Sequence, residues 1–187
     1  KGVVYFMGRS LENTARNDFY RVNVNGKNME RLTIGEYNNS INLSPDGSYF
    51  VVTYNNTGTP TKMTLMSTKR KIIKELGDSK GTEFDNYNLA KTEIVRVKSD
   101  DGLYDLPMKV TWPLNMDKSK KYPVLISVYG GPNAGSVMDT WGFSGNQQWY
   151  AKEGLIQVVM DHRASGHFGK EGVANMYHNL GYWEMKD

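Results

Sequence analysis

Two almost uninterrupted apolar runs constrain this chain more than any other feature: Val124-Leu125-Ile126-Ser127-Val128-Tyr129, directly after Pro123, and Leu155-Ile156-Gln157-Val158-Val159-Met160. Runs of this length without alternation read as strands buried on both faces, the setting of a mostly parallel sheet covered by helices. Between them, Gln147 to Glu153 carries helical patterning and Gly154 supplies its stop. Strand, helix and strand make a crossover unit. Just upstream, Glu93 to Lys98 alternates as a half-buried strand, Asp100-Asp101-Gly102 turns the chain, and Leu106 to Trp112 returns as the second arm of a hairpin. A Lys-rich polar loop, Asp117 to Lys121, leads into the first apolar run.

The first part of the chain obeys a different rule. From Gly2 to about Leu76, short β-type runs are separated by turn chemistry: Val3–Phe6, Phe19–Val24 closed by Asn25-Gly26, Ile41–Leu43, Tyr49–Tyr54, Met63–Met66 and Ile72–Lys74. Ser44-Pro45-Asp46-Gly47 is a turn, and the polar stretches Ser10–Asp18 and Asn55–Thr61 read as loops. Tyr49 overlies Val3 and Lys62 overlies Phe19 at a repeat of roughly 43 to 46 residues, the period of a four-stranded propeller blade. Two consecutive blades are expected, with a small antiparallel meander as the alternative. The polar stretch Gly77–Asn88 separates the two characters, which sets a boundary near Leu89.

Composition removes several function classes. The formal charge is +3, from 23 basic and 20 acidic side chains with no long basic block, so nucleic acid is not implied as a partner. No window approaches a bilayer-spanning apolar stretch. With no cysteine there is no disulfide framework, thiolate zinc site or cysteine nucleophile; the redox compartment stays undecided, though the usage suits a bacterial periplasmic or cell-surface protein better than an animal ectodomain. The chain starts Lys1-Gly2-Val3 in an apparent strand and stops after the amphipathic stretch Gly181–Asp187, so it is expected to be an internal piece of a longer protein.

Two segments stand where an α/β sheet carries chemistry, beyond the carboxyl ends of its strands. Tyr129-Gly130-Gly131-Pro132 places a phenol at such an end, followed by a sharp turn. The phenol can donate to developing negative charge, or Tyr129 is simply an amphipathic residue closing a strand. The second segment, Asp161-His162-Arg163-Ala164-Ser165-Gly166-His167-Phe168-Gly169, crowds an Asp, a His and a Ser together. Triad members come from separate loops, so this is read as a loop organised by a buried ion pair of Asp161 or Arg163. His167 and Glu171, four apart, are assigned solvated or capping roles, and His178 a helix surface. Gly142-Phe143-Ser144-Gly145 is no nucleophile elbow. Asn38, Asn42 and Asn55 head matches to the glycosylation triplet, common by chance in an Asn-rich chain.

Taken together, the residues from Glu93 to Asp187 resemble the opening of the catalytic domain in the dipeptidyl peptidase IV family, serine peptidases of the prolyl oligopeptidase type. The carrying motifs are Lys118-Ser119-Lys120-Lys121-Tyr122-Pro123, then Val128-Tyr129-Gly130-Gly131-Pro132, then Asp161-His162-Arg163-Ala164-Ser165-Gly166 with Gly169, then Asn179-Leu180-Gly181 with Glu184 and Asp187. The upstream pattern, including Ser44-Pro45-Asp46-Gly47, resembles the family's last propeller blades. The implied fold is mixed: the C-terminal blades of an all-β propeller over 1–88, followed by the N-terminal portion of an α/β-hydrolase domain over 89–187, incomplete.

The resemblance implies that Tyr129 is the side-chain donor of an oxyanion hole and that Pro132 lies along the substrate wall. Asp161 and Arg163 match a D-x-R-G-S-G loop taken as scaffold near the site, with Ala164 replacing the usual glycine. The triad's Ser, Asp and His are not in this chain, so it is expected to be inactive alone. The implied activity of the intact protein is release of amino-terminal dipeptides with penultimate Pro or Ala, without cofactor or metal. Implied partners are peptides with a free amino terminus and a second copy of the protein in a homodimer. Prolyl tripeptidyl, acylaminoacyl and oligopeptidase activities remain alternatives, as does a non-catalytic interaction protein that has lost the triad.

Overall fold

A computed structural model describes residues 2–10 and 12–187. Lys1, where the apparent first strand opens, and Leu11, inside the expected loop 10–18, lie outside the described residues. The chain is rich in sheet and poor in helix. It divides into two compact units: Lys1–Phe84 together with Asp139–Trp141, and Asp85–Met138 together with Gly142–Asp187.

The first unit holds two antiparallel meanders. One has three strands, β1 (Val3–Arg9), β2 (Asn17–Asn23) and β3 (Glu30–Arg31); the other has four, β4 (Asn38–Leu43), β5 (Tyr49–Asn56), β6 (Thr59–Ser67) and β7 (Ile72–Asp78), each paired to the next. Alternation fixes which face is inside: Phe50 and Val52 on β5 and Thr64 and Met66 on β6 are buried, whereas Tyr49 and Met63 face outward. Phe19, Leu32, Phe50, Val52 and Met66 form the core, and the Phe19 ring meets Phe50 edge-on at 5.2 Å. The Ser44–Gly47 turn is built as its residues require. Ser44 Oγ donates to Asp46 Oδ1 at 2.6 Å, the Gly47 N–H to the Ser44 carbonyl at 2.9 Å, and Gly47 takes a φ of +68°.

Two expected loops are shorter than their polarity suggested. Asn55 and Asn56 still belong to β5 and only Thr57-Gly58 turns, because Asn55 Nδ2 donates across the hairpin to Thr61 Oγ1 at 3.2 Å. Asn17 and Asp18 likewise open β2, where Asp18 Oδ1 accepts bonds from Thr33 and Asn39 and pairs with Arg31. Residues 139–141 are tied into this unit by Asp139. Its carboxylate takes Arg16 Nε at 2.7 Å and the Thr57 N–H at 2.8 Å, and the Trp141 N–H donates to Asn55 Oδ1 at 3.0 Å. Burial alone would lower the Arg16 pKa, but the Asp139 and Glu36 carboxylates raise it above its ordinary value.

The second unit is built on a mixed four-stranded sheet in the order β10-β11-β9-β8, from β8 (Thr92–Lys98), β9 (Asp105–Thr111), β10 (Val124–Val128) and β11 (Ile156–Met160). β8 and β9 form the antiparallel hairpin about Gly102, whose φ is +73°. β10 and β11 run parallel, from Val124↔Ile156 to Val128↔Met160, with α1 (Gly145–Lys152) between them in sequence and Gly154 at φ +83° after it. Two short helices follow, α2 (Gly169–Ala174) and α3 (Trp183–Lys186).

One expectation is corrected here. β10 is not buried on both faces: Val124, Leu125, Ile126 and Val128 are 43–75% exposed. The strand ends its sheet and pairs there only with β11, so the described residues do not cover its apolar side chains. His178 is not on a helix surface either. It follows α2 in a turn, at φ +52°, with its ring edge-on to Tyr177 at 4.1 Å.

Candidate active site

The site is assembled in the second unit where β10 and β11 end. Parallel pairing brings the carboxyl ends of the two strands side by side, so Tyr129 and Asp161 begin adjacent loops. Tyr129 is 59% exposed, and its ring folds back over its own turn. A Cβ added at Gly131 would stand 2.6 Å from Tyr129 Cε1. A side chain at 131 would displace the aromatic ring from this position, whereas a Cβ at Gly130 would meet only Glu184, at ordinary contact distance. Pro132 is exposed and borders an open apolar groove of about 670 Å³ shared with Val173, Met176, Tyr177 and Leu180.

The loop 161–167 lies deep in the unit. Asp161, Arg163, Ala164 and Ser165 are at most 1% exposed, which is exceptional for charged side chains and demands partners. Asp161 Oδ1 accepts the Ser136 N–H at 2.9 Å; its Oδ2 accepts the Val137 N–H at 2.7 Å and meets His167 Nε2 at 2.8 Å. Burial pushes the Asp161 pKa up, but these bonds outweigh it and leave it below the usual carboxylate range. Arg163 is held by a bidentate pair with Asp187 (Nε–Oδ2 2.8 Å, Nη2–Oδ1 2.6 Å) and by Asp101 through Nη1 at 2.7 Å. Its guanidinium lies 3.4 Å from the centre of the Trp183 ring and 4.8 Å from that of Tyr104. The Asp187 bonds, against burial, and the Asp101 bond raise the Arg163 pKa; Arg163 and then Ser99 lower that of Asp101.

Asp161, His162 and Ser165 do not converge as a catalytic set. His162 Nε2 and Ser165 Oγ are buried without a hydrogen-bond partner among the described residues, while Asp161 is engaged by His167. His167 is buried and Glu171 exposed, and no group of three or more His, Cys, Asp or Glu gathers to hold a metal among the described residues. The reading of the sequence left His167 as a solvated or capping side chain and missed Asp101 entirely. Asp101 looks like part of a local turn, and it is: its Oδ1 takes Ser99 Oγ and the Leu103 N–H, leaving Oδ2 for Arg163. No spacing rule announces either partnership.

The family model for the N-terminal region of dipeptidyl peptidase IV matches residues 1–61. A probable dipeptidyl-aminopeptidase B from Tuber melanosporum is 31% identical across 100% of this chain and 21% of its own length. A prolyl endopeptidase FAP from Bos taurus is 38% identical over 62% of this chain and 15% of its own. Among solved structures, Porphyromonas gingivalis dipeptidyl peptidase 4 superposes on 97% of this chain and 26% of its own with a TM-score of 0.85 at 26% identity. A putative dipeptidyl aminopeptidase IV from Bacteroides ovatus does so on 99% and 26% with a TM-score of 0.82 at 29% identity. No helix among the described residues is long and apolar enough to cross a membrane. Family model, curated relatives and solved structures together support a chain of the dipeptidyl peptidase IV type, and it spans about a fifth to a quarter of the length of the fungal relative and of the solved chains.

Proposed function

We propose that this chain is the junction of a serine peptidase, with propeller blades over 1–88 leading into the first part of an α/β-hydrolase domain over 89–187. The observation that carries this reading is the superposition on the Porphyromonas gingivalis enzyme along 97% of the chain. In this reading Tyr129 donates its phenolic hydrogen to the oxyanion of the tetrahedral intermediate. A donor aimed at charge that develops only in the transition state lowers the barrier without tightening substrate binding. Pro132 forms part of the substrate wall, and Asp161 and Arg163 are scaffold. The Ser, His and Asp of the triad are assigned to no residue of this chain, so the 187-residue polypeptide is inactive alone.

The intact protein releases dipeptides with penultimate Pro or Ala from free amino termini. A carboxylate site for the terminal ammonium, contributed by other parts of the protein, sets the distance to the scissile bond. The test is mass spectrometry of digests of an Xaa-Pro peptide, free and N-acetylated, by the full-length protein. Acetylation leaves the carboxylates unpaired, at about 3 to 5 kcal/mol if fully desolvated, so kcat/KM is expected to fall about a hundredfold or more. Equal cleavage of the blocked peptide would overturn this specificity and favour a second reading as a prolyl endopeptidase, which the 38% identity to the bovine protein supports.

A further inference from the structure

The loop that begins at Tyr129 is fastened at two places, one on β11 and one on the loop that follows it. Upstream, Val128 pairs with Met160 at the last rung of the parallel ladder. Downstream, Asp161, one residue past that rung, takes the N–H groups of Ser136 and Val137, and the Asn133 N–H donates to the Ala164 carbonyl at 2.8 Å. The two loops are in direct contact along this stretch. A Cβ at Gly135 would stand 3.0 Å from His167 Nε2, 3.1 Å from Asp161 Oδ2 and 3.1 Å from the Ser165 carbonyl oxygen. Gly166, at φ +100°, is equally close to Asn133.

We propose that Asp161 and His167 are positioning residues which together hold the 133–137 segment against the loop after β11 and so fix where the Tyr129 phenol points. The proposal rests on the reading of Tyr129 as the oxyanion donor. Its physical basis is the coordination of one buried carboxylate. Asp161 accepts two main-chain N–H groups, and His167, buried beside it, supplies a third donor through Nε2. Because Asp161 is held ionised, Nε2 carries the hydrogen in this bond. Charge-assisted bonds of this kind are short and orienting. Without the His167 donor, the carboxylate keeps only bonds to the segment it is meant to hold, and the two loops can slide on each other. The effect on Tyr129 passes through the short span 130–132.

The test uses the full-length protein that carries this chain, with glycyl-prolyl p-nitroanilide as substrate. His167→Leu removes the donor, His167→Gln keeps an N–H at similar reach, and Gly135→Ala wedges the clamp from the other loop without emptying the buried His167 site. Each is measured alone and with Tyr129→Phe, after circular dichroism confirms folding. Misplacement of the donor by a fraction of an ångström is expected to lower kcat about tenfold to a hundredfold in His167→Leu and Gly135→Ala. KM should stay nearly constant, and His167→Gln should recover most of the loss. In the Tyr129→Phe background the same changes are expected to cost less than about twofold, since sites that act through one group are not additive. Losses that multiply fully in both backgrounds, or wild-type kcat in the folded His167→Leu and Gly135→Ala proteins, would overturn the proposal alone. Wild-type kcat in Tyr129→Phe would overturn the donor reading and the proposal with it.

Discussion

Replacing Arg163 by methionine in the full-length protein should destabilise it severely, and the structure gives the size of the effect. The guanidinium is 1% exposed and the Asp187 carboxylate 0% exposed, and the two share a fork of 2.8 and 2.6 Å bonds. Asp187 Oδ2 also accepts the Arg163 main-chain N–H at 2.9 Å, so the carboxylate cannot swing out to solvent without breaking that bond too. Removing one partner of such a pair leaves an uncompensated buried charge, at about 3 to 5 kcal/mol. Asp101 contributes less to this loss, since its side chain is 25% exposed and water can take over the vacated bond. Methionine refills part of the slot between Trp183 and Tyr104, so packing adds little. In thermal unfolding the full-length variant should melt clearly below the wild type. Arg163→Lys should be nearly as harmful, because an ammonium provides neither the fork nor the flat face that lies on Trp183. The decisive comparison is Arg163→Met with Asp187→Leu: with both charges gone the charge-burial penalty disappears, only the Arg163 main-chain N–H is left without Asp187, and the double variant should be more stable than Arg163→Met alone. A double variant that loses the sum of the two single losses would refute this account of the loop.

Two further outcomes follow from the same loop. Ser165→Ala in the full-length protein should leave kcat unchanged and hold or raise stability by about 1 kcal/mol, because it deletes a buried hydroxyl that has no partner among the described residues; loss of activity would mean that Ser165 takes part in the chemistry. Acid should weaken the protein in a defined window. Asp161 and Asp101 both titrate below the ordinary carboxylate value in the folded state, so their contribution is present above about pH 4 and is lost as pH falls through the lower, folded-state values. Urea titrations from pH 6 down to 2.5 should therefore show stability falling most steeply below about pH 4, with a flatter profile in Asp161→Asn.

What was legible in the sequence depended on how local the determining physics was. Alternation named β8, β-type runs between turn signals named β5 and β6, the strand-helix-strand order of β10, α1 and β11 followed from two apolar runs, the helical pattern between them and Gly154, and the turns at Gly47 and Gly102 follow from their own residues. β3, two residues long, left no pattern to read. The apolar run of β10 correctly indicated a strand parallel to β11 but misreported its surroundings. A hydrophobic run records what the strand is built to meet, and the described residues do not cover it. At the candidate site, an ion pair involving Asp161 or Arg163 was expected: Arg163 has one, with Asp187 and Asp101, whereas Asp161 is held by hydrogen bonds, one of them with His167. Their partners, His167, Asp187 and Asp101, lie 6, 24 and 62 residues away, at distances set by the fold rather than by any spacing rule.

The central claim is that Tyr129 stabilises negative charge in the transition state of peptide hydrolysis, and the most direct measurement is steady-state kinetics of Tyr129→Phe in the full-length protein on glycyl-prolyl p-nitroanilide. The account expects a folded enzyme whose kcat falls about a hundredfold to a thousandfold, with KM nearly unchanged, the loss typical of one oxyanion donor. A folded variant with wild-type kcat would contradict it and return Tyr129 to the role of a residue that closes a strand.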